Sequence, residues 1–588
     1  MSTIISLLSE KMQNAFKKSG YDEKYSIVTL SNRPDLCQYQ CNGSLSAAKE
    51  YKMAPIKIAE HVVEELKKDS IYKEVVAIAP GFINITLSNE YIAKYLNDMN
   101  QSQHLACVLE EIPKTVVIDY GGPNIAKPLH VGHLRSAVIG ESIKRIIRFM
   151  GNNVIGDAHL GDWGLQMGLV IAELKRRKPE LSYFDDNYID DYPKEAPFTI
   201  TELEEIYPAA SEYSKENPDF KEEAKNITYL LQNAHKGYTA IWNHMLEVSV
   251  SDLMKIYEKL NVSFDLWKKE SDAQPYIPEM IEYLKMNNYT RISEGALVVD
   301  VKEETDNKEI PPCMILKSDG ATLYNTTDLA TIVERMKLFD PNRIIYITDK
   351  RQGLYFEQVF RCARKTKLIK ENTDLTFIGF GTMNGKDGKP FKTRDGGVMR
   401  LENLIKGVTD EVYNKIMENR DMSIDDAKAI ADKVGIAALK YGDLSNQASK
   451  DYVFDLERFT SFEGDTGPYI LYTIVRIKSI LNKYKESHND LTVQAILPAI
   501  TKNELNLMHE ITKFNETIYN AYEDLAPHRI CQYIYGLTNQ FNTFYHETKI
   551  LSEEDKNRQK SYIALLSLTL KVLNQCIDLL GIEAPDMM

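Results

Sequence analysis

The chain has 588 residues, 43% hydrophobic and 27% charged, with a formal net charge of −14. That length is too great for one core and points to roughly three to five domains in an ordinary soluble globular protein. No run reaches the roughly 18–20 apolar residues of a bilayer span, residues 1–20 lack the apolar region and cleavage site of a signal peptide, and the negative total sets a mild expectation against nucleic acid unless basic groups are gathered locally.

Residues 1–110 mix helical spacing with strand-like runs at 75–78 and 82–87 on either side of Pro80-Gly81, which predicts a compact α/β unit, with a linker over 102–114. Residues 115–118 form a continuous β-branched run after Pro113, the pattern of a buried parallel strand. A loop containing Gly122-Pro123-Asn124 then leads to His130-Val131-Gly132-His133. The helix that follows has an apolar stripe through Ile139, Ile143, Ile146, Ile147 and Met150, and Gly151 supplies its stop. Residues 180–230 are acidic and carry prolines at 193, 197, 208 and 218, so they read as a solvated insertion. Apolar runs at 296–301, 343–348 and 375–379 alternate with helical patterns, which predicts a helix-wound parallel sheet over 111–404. From about 405 the chain is expected to stay helical, as a connecting region over 405–462 and a bundle over 463–588. Its stripes are Ile470, Ile474, Ile477 and Leu481, then Ile563, Leu566, Leu570 and Leu573. Of the cluster Tyr533, Tyr535, Phe541, Phe544 and Tyr545, most are expected in the core and one or two exposed, where they can stack on splayed bases. The cysteines at 37, 41, 107, 313, 362, 531 and 576 include no Cys-x-x-Cys pair. No structural zinc is expected, and the odd, scattered count fits reduced thiols in a cytoplasmic protein.

The strand-to-helix corner carries the chemistry. A helix start presents unpaired N–H groups and a partial positive charge, which suits phosphate. His130 and His133 project from one face of the first turn, and Gly132 between them removes a side chain where a nucleotide approaches. A capping loop with two core histidines is the bland alternative, and the strand-loop-helix context favours the nucleotide site.

The extended string from Gly122 through Lys127, His130 and His133 to Arg135-Ser136 resembles the class I aminoacyl-tRNA synthetases, and the arginyl-tRNA synthetases in particular. Further matches follow in the order of that family: His159 to Gln166, Asp319 to Ala330 around Tyr324 and Asp328, Asp349 to Leu354 around Gln352, and Gly381 to Arg394. Ala79 to Asn84 near the front and residues 527–529 and 581–585 near the end also match, so the resemblance covers nearly the whole chain. The implied fold is a Rossmann-type parallel-sheet catalytic domain with an insertion, preceded by an N-terminal α/β addition domain and followed by a C-terminal α-helical bundle. The implied reaction is ATP-dependent activation of L-arginine and its transfer to the 3′-terminal adenosine of tRNA(Arg), releasing AMP and pyrophosphate. The addition domain is implied to touch the tRNA elbow, with a stabilising cap as the alternative, and the bundle to bind the anticodon. The implied enzyme is a cytoplasmic monomer whose ATP brings Mg2+, with no membrane partner.

By the same resemblance His130, Gly132 and His133, with Lys127 and Lys392, are the catalytic group. Pro123, Lys389, Thr393 and Arg394 join the histidine corner around ATP, and Asp119, Asn124, His159, Tyr324, Asp328 and Gln352 surround arginine. A guanidinium needs carboxylates it can meet in a planar, bidentate way, and Tyr324 offers a ring face for its plane. Departures from the family pattern are the missing Lys-Met-Ser-Lys-Ser loop, replaced by Lys389-Pro390-Phe391-Lys392-Thr393-Arg394, Tyr355 where histidine is common, and Gly121-Gly122 in place of a serine-containing pair. Two other readings stay open: a small adenylyltransferase with the same histidine signature, far shorter than this chain, and a catalytically silent RNA-binding relative, which has no use for His130, His133, Asp119 and Asp328 together.

Overall fold

A computed structural model describes residues 3–127, 129–389, 399–419, 422–487 and 495–588. They gather into two compact units, one of Met1–Glu110, Ile424–Ala437 and Thr460–Met588, the other of Glu111–Ser423 and Ala438–Phe459.

The second unit is built on a four-stranded parallel sheet in the order Asp374–Phe380, Arg343–Asp349, Thr115–Asp119, Asn153–Asp157. Thr115–Asp119 is central, and Val116, Val117 and Ile118 are all buried, which is why its apolar run shows no alternation. The helix Val131–Phe149 packs on this sheet through Val138, Ile139, Ile143, Ile146 and Ile147, each burial stabilising by ~1.5–3 kcal/mol. Gly140 permits the contact, because a Cβ there would stand 2.2 Å from the Tyr120 ring. One core cluster joins Val117, Ile344 and Leu375 of the sheet to Leu329, Val359 and Phe360 of the flanking helices.

Two expectations are corrected. The run beginning at Ala296 forms the strand Ala296–Val299, but in a separate three-stranded sheet with Arg291–Ser293 and Cys313–Leu316, all antiparallel. Glu294 and Gly295 both take positive φ, +50° and +81°, and close a two-residue hairpin that fixes this pairing. Nor is the chain purely helical after 405, since Tyr452–Val453 pairs in parallel with Met383–Asn384. The acidic insertion is more ordered than its composition suggests. Helices Ile200–Glu216 and Pro218–Gln232 pack against Leu165–Arg177, started by a Thr199/Glu202 capping box and by Asn217 with Pro218.

The first unit contains an antiparallel sheet in the order Val28–Leu30, Tyr39–Cys41, Phe82–Leu87, Tyr72–Ile78, against which Ile4–Lys18 and Pro55–Leu66 pack. Beside it lies a bundle of Gly467–Ser487, Lys502–Thr512, Phe514–Glu523, His528–Glu547 and Lys556–Leu579. The bundle is tied to helix Asn89–Gln101 by Asn97, whose side chain bonds the Ile496 N–H at 2.8 Å and its carbonyl at 2.9 Å. Lys556–Leu579 has the length and apolarity of a membrane span, with mean hydropathy 1.3, yet 61% of that window is buried in the protein, as in a core helix. In the aromatic cluster Tyr533, Phe541 and Phe544 are buried while Tyr535 and Tyr545 keep partial exposure.

Candidate active site

His130 is the N-cap of helix Val131–Phe149, and the cap is built from imidazoles. Its Nδ1 accepts the Gly132 N–H at 3.1 Å, while His133 Nδ1 accepts the His130 N–H at 3.1 Å. A ring nitrogen that accepts carries no proton, so in the neutral rings the hydrogen sits on Nε2 and both Nε2–H groups are left to donate. Burial and the Lys127 ammonium lower the pKa of His130, and burial with His130 pushes His133 down to about 3. Both rings are therefore neutral donors at physiological pH, 3.8 Å apart between centroids. Gly132 has a nearer neighbour than a nucleotide: an added Cβ would meet His130 Cε1 at 2.9 Å. The rest of the motif fixes the corner. Ser136 Oγ accepts from the Gly121 N–H at 2.9 Å and donates to the Ile347 carbonyl at 2.8 Å. The buried Arg135 pairs with Asp443 at 3.0 Å and lies 5.0 Å over the Tyr452 ring.

The segment around the expected lysine loop is only partly described. Lys389 is exposed in a tight turn, its N–H donating to Asp387 and its carbonyl accepting from Gly385. Lys392, Thr393 and Arg394 lie outside the described residues. At Met399–Leu401 the chain runs antiparallel to the histidine corner: the Val131 N–H donates to the Met399 carbonyl at 3.1 Å, the Leu401 N–H to the Leu129 carbonyl at 2.8 Å, and His130 bridges Arg400. Lys127 holds its ammonium 4.4 Å from the centroid of Tyr207. Pro123 is buried, its carbonyl accepting from Gly161, and Asn124 bridges Gly161 as well.

Acidic groups gather beside this corner. Asp328 sits one turn inside helix Tyr324–Phe339 and is half-buried. It accepts a short hydrogen bond from the Tyr355 hydroxyl, and burial together with Asp119 holds its carboxyl above the usual range. Asp119, at the end of the central strand, accepts from Arg335 at 2.7 Å, and the same guanidinium reaches Asp157 at 2.8 Å. The His159 ring is 9% exposed, and neither ring nitrogen has a hydrogen-bond partner among the described residues. Tyr324 stands 70% exposed at the helix start. Gln352 is also exposed and accepts from Thr348.

Sequence reasoning missed Glu270. Burial pushes its carboxyl up to about 7, with Asp162 and Asp328 adding to the rise and His159 opposing it. No motif marks it, because it reaches the site through a long-range contact, its N–H bonding the Leu160 carbonyl. Arg335, also missed, stands two helical turns after Asp328 on the same face, a spacing that was there to be read.

Residues 96–456, more than half of the chain, match the family described as tRNA synthetases class I (R), catalytic domain. An arginine–tRNA ligase of Agathobacter rectalis is 60% identical over the full length of both chains. The chain belongs to the arginyl-tRNA synthetase family. The other two regions agree with arginyl-tRNA synthetases: residues 2–87 match the arginyl tRNA synthetase N terminal domain and residues 470–588 the DALR anticodon binding domain. A second arginine–tRNA ligase, from Alkaliphilus oremlandii, is 56% identical, again over both whole chains. The solved arginyl-tRNA synthetase of Plasmodium falciparum superposes with a TM-score of 0.82 at 26% identity, covering all of both chains. The expected fold class is borne out.

Proposed function

We propose that the chain charges tRNA(Arg) with L-arginine in two steps at this site. The observation that carries the reading is the pair of neutral Nε2–H donors at a helix start beside a pocket of carboxylates. In the first step an arginine carboxylate oxygen attacks the α-phosphorus of ATP, the bond to the bridging oxygen breaks, and pyrophosphate leaves. His130 and His133 donate to phosphate oxygens as charge grows on them, Lys127 and Lys392 neutralise the leaving group, and Pro123, Gly132, Lys389, Thr393 and Arg394 line the nucleotide. In the second step the 2′-hydroxyl of the terminal adenosine takes the aminoacyl group and AMP departs. Mg2+ enters as the companion of ATP, carried by phosphate oxygens. Among the described residues no group of three His, Cys, Asp or Glu is placed to hold a metal, and no step is assigned to the ion.

Arginine is selected by charge. Arg335 already neutralises part of Asp119, which leaves Asp328 and Glu270 as the stronger acceptors for the guanidinium. Tyr324 supplies a ring face, and Asn124, His159 and Gln352 contact the amino-acid end. The wider reading is a cytoplasmic monomer, its compartment supported by seven free cysteines, with residues 1–110 at the tRNA elbow, 111–404 catalytic, 405–462 connecting and 463–588 at the anticodon. Charging total tRNA with radiolabelled amino acids tests it: label is expected with arginine, dependent on ATP and tRNA, and incorporation of another amino acid, or of none, removes the reading.

Glu270 gives a second test. Its folded pKa is raised from 4.5 to about 7, so the neutral form favours folding; that contribution is complete below about 4.5 and is lost as pH rises through about 7. A bound guanidinium pulls the proton off. Calorimetric titration with arginine at pH 6–7 in buffers of different ionisation heat is therefore expected to show proton release, absent in Glu270→Gln. Buffer-independent heats would contradict the assignment.

A further inference from the structure

Two cations flank the His130 cap, and one helix of the insertion holds both. Lys127 Nζ lies 4.4 Å from the Tyr207 ring centroid, and Arg400, whose backbone bridges His130, pairs with Glu204 at 2.5 Å. Glu204 and Tyr207 stand three residues apart on helix Ile200–Glu216 and so share a face. The helix is seated elsewhere by Leu203, Ile206 and Ala210, all buried, and by Lys178, which donates to Glu202 at 2.9 Å and to the Pro197 carbonyl at 2.8 Å. A lysine on a four-carbon stem loses much rotamer freedom when it is fixed on a phosphate, and a ring that already orders the ammonium reduces that loss at the moment of binding.

We propose that Tyr207 is a positioning residue for adenylate formation, its ring face holding the Lys127 ammonium beside His130, with Glu204 anchoring the same helix to Arg400. The acidic insertion is thus part of the ATP site. This rests on the reading of Lys127 as a phosphate contact.

The test is ATP–pyrophosphate exchange by the full-length protein with arginine and tRNA present and ATP varied, for Tyr207→Leu, Tyr207→Phe, Lys127→Ala and the Lys127→Ala/Tyr207→Leu double variant. Leucine keeps an apolar side chain on the helix and removes the π face. Tyr207→Leu is expected to lower kcat/KM for ATP about 3- to 30-fold, the range of a cation–π contact, and phenylalanine to restore most of it. The double variant is expected to be no worse than Lys127→Ala alone. Losses that multiply in the double variant, a Tyr207→Leu enzyme equal to the parent, or a phenylalanine variant as impaired as leucine would each overturn the proposal while leaving the Lys127 reading in place. An unimpaired Lys127→Ala enzyme would remove that reading and the proposal with it.

Discussion

His133→Ala is expected to slow arginyl-adenylate formation by about 10²–10³-fold, the usual consequence of removing one preorganised donor from a developing anion. The structure makes the cause specific. His133 Nδ1 is occupied by the His130 N–H, so the Nε2–H is the only proton the neutral ring has to give, and alanine removes it. Alanine also removes the N3 half of the capping box, while the His130 cap on the Gly132 N–H stays; the loss is about 1 kcal/mol, too little to unfold a protein of ordinary stability. Rate and melting temperature are therefore expected to separate: a large fall in pyrophosphate exchange with a small fall in Tm. With its pKa held down at about 3, the His133 ring contributes no titration limb near 6.5 to the pH profile of kcat/KM, and any limb from His130 lies below the ordinary imidazole value. Protonation costs folding free energy only as pH falls from 6.5 toward 3. An alanine variant with parental exchange rates would exclude a phosphate role for His133.

Asp328→Asn is expected to have a comparable effect on arginine and none on ATP alone. Truncating one partner of a buried charge pair costs about 2–5 kcal/mol, so kcat/KM for arginine should drop about 30-fold or more. Folding moves the other way. The Asp328 carboxyl is held above the usual range, so its ionised form opposes folding once pH exceeds the ordinary carboxylate value. Asparagine has no charge, and its carbonyl still accepts from Tyr355. At neutral pH the variant should melt no lower than the parent while failing to activate arginine. Such a split identifies a residue kept for substrate and not for stability. Parental arginine activity in Asp328→Asn would contradict the specificity assigned here.

The corner was legible in sequence because each element announces itself locally: a β-branched run, a glycine-proline loop, paired histidines and a long apolar stripe. The same local logic misled at Ala296–Val299, where a short strand buried on both faces looks like a parallel one and only Glu294-Gly295 reveals the hairpin. Val28–Leu30 and Tyr39–Cys41 are three residues each, too short for any period to show. Asp119, Asp328 and His159 were found through family motifs, but what holds them was not: Arg335 arrives from a helix more than two hundred residues away from Asp119 in the chain. Glu270 and Tyr207 belong to no motif and are brought in by tertiary packing alone. Gly132 was expected to clear space for a nucleotide, and it clears space first for the His130 ring.

A crystal structure with a non-hydrolysable arginyl-adenylate analogue tests the whole arrangement at once. The account predicts phosphate oxygens within hydrogen-bond distance of His130 and His133 Nε2 and a guanidinium against the carboxylates of Asp328 and Glu270. An analogue bound with its phosphate away from the two imidazoles, or with its guanidinium turned to solvent, would contradict it.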